Sequence, residues 1–157
     1  MKRVGFALML LCASVAPAWA QSSDEIVVTA DKHGEARAQD LPMAINAFGE
    51  RDLQSLNVED LQSLSYAMPN VQLEDIGTAR GIANFSIRGV GVNSSIASVD
   101  PAVGVFVDGV YLGVNAGSIT DAFDLEAIEV LRGPQGTLYG RNATGGAVLV
   151  RTRGPTD

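Results

Sequence analysis

Residues 128–146 read Ile128-Glu129-Val130-Leu131-Arg132-Gly133-Pro134-Gln135-Gly136-Thr137-Leu138-Tyr139-Gly140-Arg141-Asn142-Ala143-Thr144-Gly145-Gly146. The run from Ile128 to Leu131 predicts a strand, and Gly133-Pro134 ends it. Ala147 to Thr152 predicts a second strand on the far side of the loop. Gly133-Pro134-Gln135-Gly136 and Gly145-Gly146 look like phosphate loops. The Walker pattern, however, ends in Gly-Lys-Ser/Thr, and beyond the first twenty residues the one lysine is Lys32. These glycines are read instead as tight turns and positive-φ positions.

Outward from this stretch the same texture continues. Val103, Val105 and Val107 alternate into Asp108-Gly109 and are followed by Val110, Tyr111 and Leu112, the pattern of a tight hairpin. Asp121 to Glu126 predicts a short helix capped by Ser118 or Thr120. Phe85-Ser86-Ile87-Arg88 predicts a strand before Gly89 and Gly91. Gly89-x-Gly91 lacks a third glycine and a helix behind it, so a dinucleotide fingerprint fails. Further upstream, Pro42 to Phe48 predicts a strand and Glu50 to Leu56 a helix. A second helix is predicted with Asn57 as cap, Glu59 and Asp60 at the positive end of its dipole, and Pro69 as its stop. Val58, Leu61, Leu64 and Met68 make one apolar face, which is core. The sum is an α+β domain on a small mixed β-sheet, with short helices and Gly-rich loops among 17 glycines in all.

The chain opens with Met1, Lys2 and Arg3, an uncharged run from Val4 to Pro17, and Ala18-Trp19-Ala20. A basic start, a short apolar stretch and a small-x-small end make residues 1–20 a secretory signal. The apolar run is shorter than the roughly 20 residues a spanning helix needs. Cys12 lies inside it as apolar filler, so residues 21–157 carry no cysteine and fold without disulfides. Losing the positive charges of Lys2 and Arg3 takes the formal charge from −7 to −9. An acidic chain without a Lys/Arg cluster is a poor nucleic-acid binder. Residues 21–40 form a polar leader, and residues 41–157 a compact domain. Within the leader, Glu25-Ile26-Val27-Val28-Thr29-Ala30 is a β-branched island. The residues alone leave two readings open: a strand donated to a partner's sheet edge, or the first strand of the domain itself.

No catalytic constellation emerges. His33 stands in the leader away from any Cys or carboxylate cluster, and no Gly-x-Ser-x-Gly elbow occurs. Glu74/Asp75 and Asp121/Asp124 are explained by turn and helix-end positions. Three short sequons, at Asn84, Asn93 and Asn142, carry little weight alone. The expectation is a protein that is not an enzyme, with no metal and no cofactor. Arg88 and Arg132 each end a predicted strand just before glycine. They present forked donors to carboxylates on a partner, or else cap loop carbonyls or pair with Glu126 or Glu129 inside the domain.

The run 128–146 resembles the signature of the plug domain of TonB-dependent outer-membrane receptors. Four more pieces stand in family order. These are Glu25 to Ala30 (similar to a TonB box), Leu64 to Val71 ending in Met-Pro-Asn-Val, Ile87-Arg88-Gly89, and Val105-Phe106-Val107-Asp108-Gly109-Val110-Tyr111. The resemblance covers nearly all of residues 21–157. It implies a plug folded inside an outer-membrane β-barrel, gating energised uptake of a scarce small-molecule nutrient such as a ferric siderophore. It further implies that Glu25, Ile26, Val27, Val28, Thr29 and Ala30 pair with the C-terminal domain of TonB. By the same resemblance Arg88 and Arg132 lock the plug to barrel glutamates, and the substrate loops fall in 77–83 and 92–100, at Gly77, Thr78, Ala79, Arg80, Gly81, Asn93, Ser94 and Ser95. Family members continue past the equivalent of Thr152–Asp157 into the barrel. This chain is therefore expected to be the front part of an outer-membrane transporter, the alternative being a stand-alone periplasmic binding module.

Overall fold

The computed structural model describes residues 27–28, 36–76, 79–94, 96, 98–113 and 124–155. In chain order these form β1 (Val27–Val28), β2 (Ala36–Arg37), β3 (Ala44–Gly49), α1 (Glu50–Ser55), α2 (Leu61–Leu64) and a 3-10 turn (Ser65–Ala67). There follow β4 (Val71–Ile76), β5 (Ala79–Ile87), β6 (Val90–Gly91), β7 (Val103–Val107), β8 (Val110–Tyr111), β9 (Leu125–Arg132), α3 (Gly136–Tyr139) and β10 (Gly146–Thr152). Among the described residues, β3-β9-β10-β7-β8 make a five-stranded sheet, β4-β5-β6 a three-stranded one, and β1 pairs with β2. In the large sheet β10 and β7 run parallel while the other pairs are antiparallel. This is the α+β domain with a mixed sheet and short helices that the sequence predicts.

Register assigns the faces of the large sheet. Arg132 stands opposite Gly146 and Ala44, and Val130 opposite Val148 and Asn46. Side chains alternate along a strand, so Ile128, Val130 and Arg132 share an inner face with Val148, Val150, Val103 and Val105. That face packs on Val71, Leu73, Phe85 and Ile87 of the smaller sheet and on Leu53, Leu61, Leu64 and Met68 of the helical segment. The outer face carries Phe106, Leu131 and Ala147, covered by Leu41, Met43, Tyr111 and Tyr139. Strand β9 is therefore buried on both sides from Ala127 to Leu131, which explains its nearly continuous apolar reading.

The helical segment follows local chemistry. The Gly49 backbone N–H donates to Asp52 Oδ2 at 3.1 Å to start α1. The helix closes when the Asn57 N–H reaches the Gln54 carbonyl and the Val58 N–H the Leu53 carbonyl, with Asn57 at φ 51°. This paired closure around a left-handed residue is a Schellman ending. Asn57 thus ends the first helix, which corrects the expectation that it caps the second. The cap of α2 is Asp60, whose Oδ1 accepts from the Ser63 N–H at 2.7 Å. The apolar face of Leu61, Leu64 and Met68 is buried as predicted, with Val58 packed on it.

Three further expectations change. Leu125 and Glu126 open β9 rather than end a helix; Leu125 is buried opposite Thr152, and Asp124 turns into the strand at φ 58°. The remainder of that predicted helix, with its caps Ser118 and Thr120, lies outside the described residues. Residues 79–83, expected to be irregular, belong to β5, whose pairing with β4 extends through a bulge at Asp75/Ile76. Strand β5 also stops at Ile87, one residue short of expectation. Arg88 takes φ 55° and donates its N–H to the Asn70 carbonyl at 2.7 Å. The hairpin at Asp108-Gly109 forms as predicted, with φ 49° and 79°.

A Cβ on Gly146 (φ +150°) would lie 2.2 Å from the Leu131 carbonyl oxygen and 2.8 Å from Ile87 Cδ1. Gly146→Ala is therefore expected to cost about 3 kcal/mol or more in a urea unfolding curve. Gly136→Ala, where nothing lies within 4 Å, should be close to neutral; equal costs at the two positions would contradict this packing. Asp60→Ala should lose about 1 kcal/mol in the same assay, the usual value of a helix cap.

Candidate functional site

Of the two arginines singled out in the sequence, Arg88 reaches the loop that follows Arg132. Strand β5 delivers Arg88 into a tight left-handed turn, continued by Gly89 at φ 78°. Arg88 Nη1 comes within 3.6 Å of the place a Cβ would take on Gly133, the residue after Arg132. Gly133, at φ +111°, donates its N–H to the Gly145 carbonyl at 3.1 Å, which holds the loop shut beneath the guanidinium. Arg132 ends β9 on the inner face, half-buried, and its Nε is buried without a hydrogen-bond acceptor among the described residues.

Neither arginine makes an ion pair among the described residues. Arg141 pairs with Asp100 at 3.0 Å, Arg151 with Glu126 at 3.0 Å, and Arg153 with Glu50 and Asp124. Glu126 is thus taken by Arg151, and Glu129 lies three residues from Arg132 on the opposite face of β9. Among the described residues, then, neither arginine pairs with Glu126 or Glu129. Arg88 and Arg132 thus keep forked donors without a carboxylate partner among the described residues.

The leader island is already paired. Val27 stands opposite Arg37 and Val28 opposite Ala36 in an antiparallel two-residue ladder, and Val28 is completely buried. Glu25, Ile26, Thr29 and Ala30 lie outside the described residues, as do residues 1–20, expected to be a secretory signal, and Lys32 and His33.

Of the predicted substrate loops, Gly77, Thr78 and Ser95 lie outside the described residues, and Ala79 and Arg80 are placed by backbone alone at the start of β5. Gly81 (φ 81°) donates its N–H to Asp75 Oδ1 at 3.2 Å; Asn93 is exposed, and Ser94 Oγ accepts from the Ile96 N–H at 3.2 Å. The roots of the two loops touch at Ala83, Phe85, Val92 and Pro101 around a gap of about 10 Å³, room for about one water. The described residues bring the loop roots together without enclosing a ligand-sized cavity there.

A larger hollow than that gap lies elsewhere and had no signal in the sequence. On the outer face, Phe106, Tyr139 and Leu149 line a hollow of about 390 Å³ with Glu129 and Arg151 at its sides. Phe106 meets Tyr139 edge-on at 5.0 Å and Tyr111 at 5.3 Å. Helix α3, which places Tyr139, has no periodic signal in its four residues. No grouping of three or more metal-ligating side chains occurs among the described residues.

Comparison with known proteins places this geometry. The family model described as TonB-dependent Receptor Plug Domain matches residues 37–147. The pesticin receptor of Yersinia pestis is 34% identical over 149 residues, which is 93% of this chain and 21% of the receptor. A vitamin B12 transporter, BtuB of Vibrio vulnificus (strain YJ016), is 28% identical over 132 residues, 84% of this chain and 21% of the transporter. The crystal structure of the ferric yersiniabactin uptake receptor FyuA from Yersinia pestis superposes with a TM-score of 0.61 at 32% identity, covering 72% of this chain and 17% of that one. The ferripyoverdine receptor of Pseudomonas aeruginosa shares the fold at 16% identity, with a TM-score of 0.66, over 87% of this chain and 18% of that one. The chain spans about a fifth of the length of the curated relatives it matches. Its matched span and its fold agree, and the chain belongs to the TonB-dependent receptor plug domain family.

Proposed function

We propose that this chain is the gating plug of an outer-membrane receptor that takes up a scarce nutrient, with a ferric siderophore as the leading substrate class. The observation that carries the reading is that Arg88, which reaches over Gly133, and Arg132, which precedes it, make no ion pair among the described residues. Buried or half-buried charge is costly until a partner neutralises it, so these arginines fit a domain that completes itself against a surrounding wall. The substrate class rests on relatives named as a pesticin receptor, a vitamin B12 transporter and a ferric yersiniabactin uptake receptor. Residues 1–20 serve as the export signal, 21–40 as the leader and 41–157 as the plug. The loops around Gly77–Gly81 and Asn93–Ser95 face the substrate, with the barrel supplying the rest of the pocket.

In this reading Glu25 to Ala30 is handed to the C-terminal domain of TonB as an added strand, where backbone hydrogen bonds supply affinity. Because Val28 is buried and its strand paired with Ala36–Arg37, the hand-over requires β1 to leave β2 first. Titration of the chain with the TonB C-terminal domain, followed by calorimetry, should give saturable binding that deletion of Glu25–Ala30 weakens at least tenfold. Unchanged affinity after the deletion would sink the assignment.

The arginines are tested separately, in a receptor that carries this plug. Arg88→Ala combined with Arg132→Ala should leave both barrel carboxylates unpaired, a loss of about 3–5 kcal/mol for each pair broken. The plug should then loosen, and cells should become several-fold more sensitive to antibiotics too large for ordinary pores. Wild-type resistance in the double variant, with the receptor present at normal level, would refute the lock.

A further inference from the structure

We propose that Arg141 is an anion contact for the cargo and that Asp100 occupies it as an exchangeable latch. A cargo that presents carboxylate oxygens takes the guanidinium, Asp100 lets go, and the stretch 98–100 comes free of the loop 133–145. The inference rests on the reading of 92–100 as a substrate-facing loop and names the chemistry that loop admits. Arg141 Nη1 lies 3.0 Å from Asp100 Oδ2, with the two side chains 83% and 49% exposed. The other carboxylate oxygen, Oδ1, accepts from Asn142 Nδ2 at 3.4 Å, a long hydrogen bond. Asn142 Nδ2 is anchored more firmly, donating to the Tyr111 hydroxyl at 2.6 Å, and Tyr111 packs on Phe106 with ring centres 5.3 Å apart. Asp100 is therefore held by one exposed cation and one long hydrogen bond against a base that is itself fixed.

Two residues further on, the same stretch is held by backbone. The Ala102 carbonyl accepts from the Gly145 N–H at 2.8 Å and from the Thr144 hydroxyl at 3.4 Å, and Ala102 is buried. The two attachments differ in how readily they break. An ion pair between exposed groups stands in high dielectric and is cheap to exchange, whereas a buried backbone hydrogen bond left unmade costs the desolvation of its groups. Ala102 is thus a hinge that stays when Asp100 leaves. The Arg141 guanidinium offers its donors in a planar fork, and Asp100 meets it through Nη1. An incoming carboxylate that takes the fork in two parallel bonds is a better partner than this contact. A ligand shifts such an equilibrium only by its preference for one state. A neutral or cationic cargo has no preference for a freed Arg141, so anionic oxygen donors are the class selected.

The test uses the full chain labelled with ¹⁵N and citrate as the probe, with sodium chloride at matched ionic strength as the reference. In the wild type, citrate should shift the Arg141 Nε–H and Asn142 side-chain amide signals together and saturably, while the chloride reference leaves both in place. The signals are assigned from Arg141→Gln and Asn142→Ala. Asp100→Asn, which removes the competing charge and keeps an acceptor for Asn142, should bind citrate about fivefold more tightly, the most that an exposed pair of this kind withholds. Arg141→Gln should abolish the Asn142 response. Asp100 and Arg141 are both exposed, so neither substitution disturbs the core. Wild-type citrate affinity in Asp100→Asn overturns the exchange, as does an Asn142 response that survives Arg141→Gln. A wild type that citrate leaves unmoved, or that chloride moves equally, overturns the site. Each of these failures leaves the titration with the TonB C-terminal domain untouched. A chain that fails that titration and still shows the citrate exchange loses the plug reading and keeps the anion contact.

Discussion

The approach of Arg88 to Gly133 depends on a pair of hydrogens where side chains would otherwise be. A Cβ on Gly145 would lie 2.8 Å from the Val90 carbonyl oxygen, and one on Gly146 would lie 2.2 Å from that of Leu131. The two glycines form a saddle on which the turn from Ile87 to Val90 rests. Because that turn sits so low on the start of β10, the smaller sheet closes on the inner face of the larger one and Ile87 is fully buried. The same descent carries Arg88 over Gly133. A glycine pair that looks like a phosphate loop in sequence is a socket for backbone, and the charges beside it are placed as a consequence.

The loop from Gly133 to Gly145 serves both faces of the sheet at once. Its ends are tied by the Gly133–Gly145 and Gln135–Ala143 backbone hydrogen bonds, at 3.1 and 2.8 Å. On the inner side its Gly133 lies under the Arg88 guanidinium. On the outer side its short helix sets Tyr139 against Phe106, roofing a face that contains Glu129 at 2% exposure. Edge-to-face aromatic contacts add about 0.5–1.5 kcal/mol beyond area burial, a contribution suited to holding a four-residue helix that is too short to be stable on its own. Disturbing this one loop would move the seat of the Arg88 guanidinium and the aromatic roof together, which is the kind of coupling a gate requires.

Much of this fold was legible in the sequence where the signal was local. The Asp108-Gly109 hairpin followed from its turn residues, and the Leu61, Leu64 and Met68 face from its spacing. The identity of the two arginines was legible too, but the approach of Arg88 to Gly133 was not, since it depends on the close contact of the turn after Ile87 with Gly145 and Gly146, far along the chain. Asn57 misled because asparagine suits both a helix start and a left-handed helix end; the Gln54 and Leu53 carbonyls waiting behind it decided the matter. Leu125-Glu126 misled because an acidic stretch beside a predicted cap looks helical, whereas pairing with β10 overrides so weak a propensity.

The leader poses a contest that simple counting can judge. As folded, β1 and β2 exchange hydrogen bonds over two residue pairs, and a backbone hydrogen bond contributes a net of about 0.5–1.5 kcal/mol. Burial of Val28 adds about 1.5–3 kcal/mol more. A partner sheet that receives the whole segment from Glu25 to Ala30 offers three times the ladder length and its own pockets for alternate side chains. The parked state is therefore strong enough to keep a β-branched strand from pairing indiscriminately and weak enough to be outbid by a partner matched along its full length. On the proposed reading, selectivity for that partner comes from the length of the match, because two residues of pairing are all that any shorter competitor has to displace and all that it could gain.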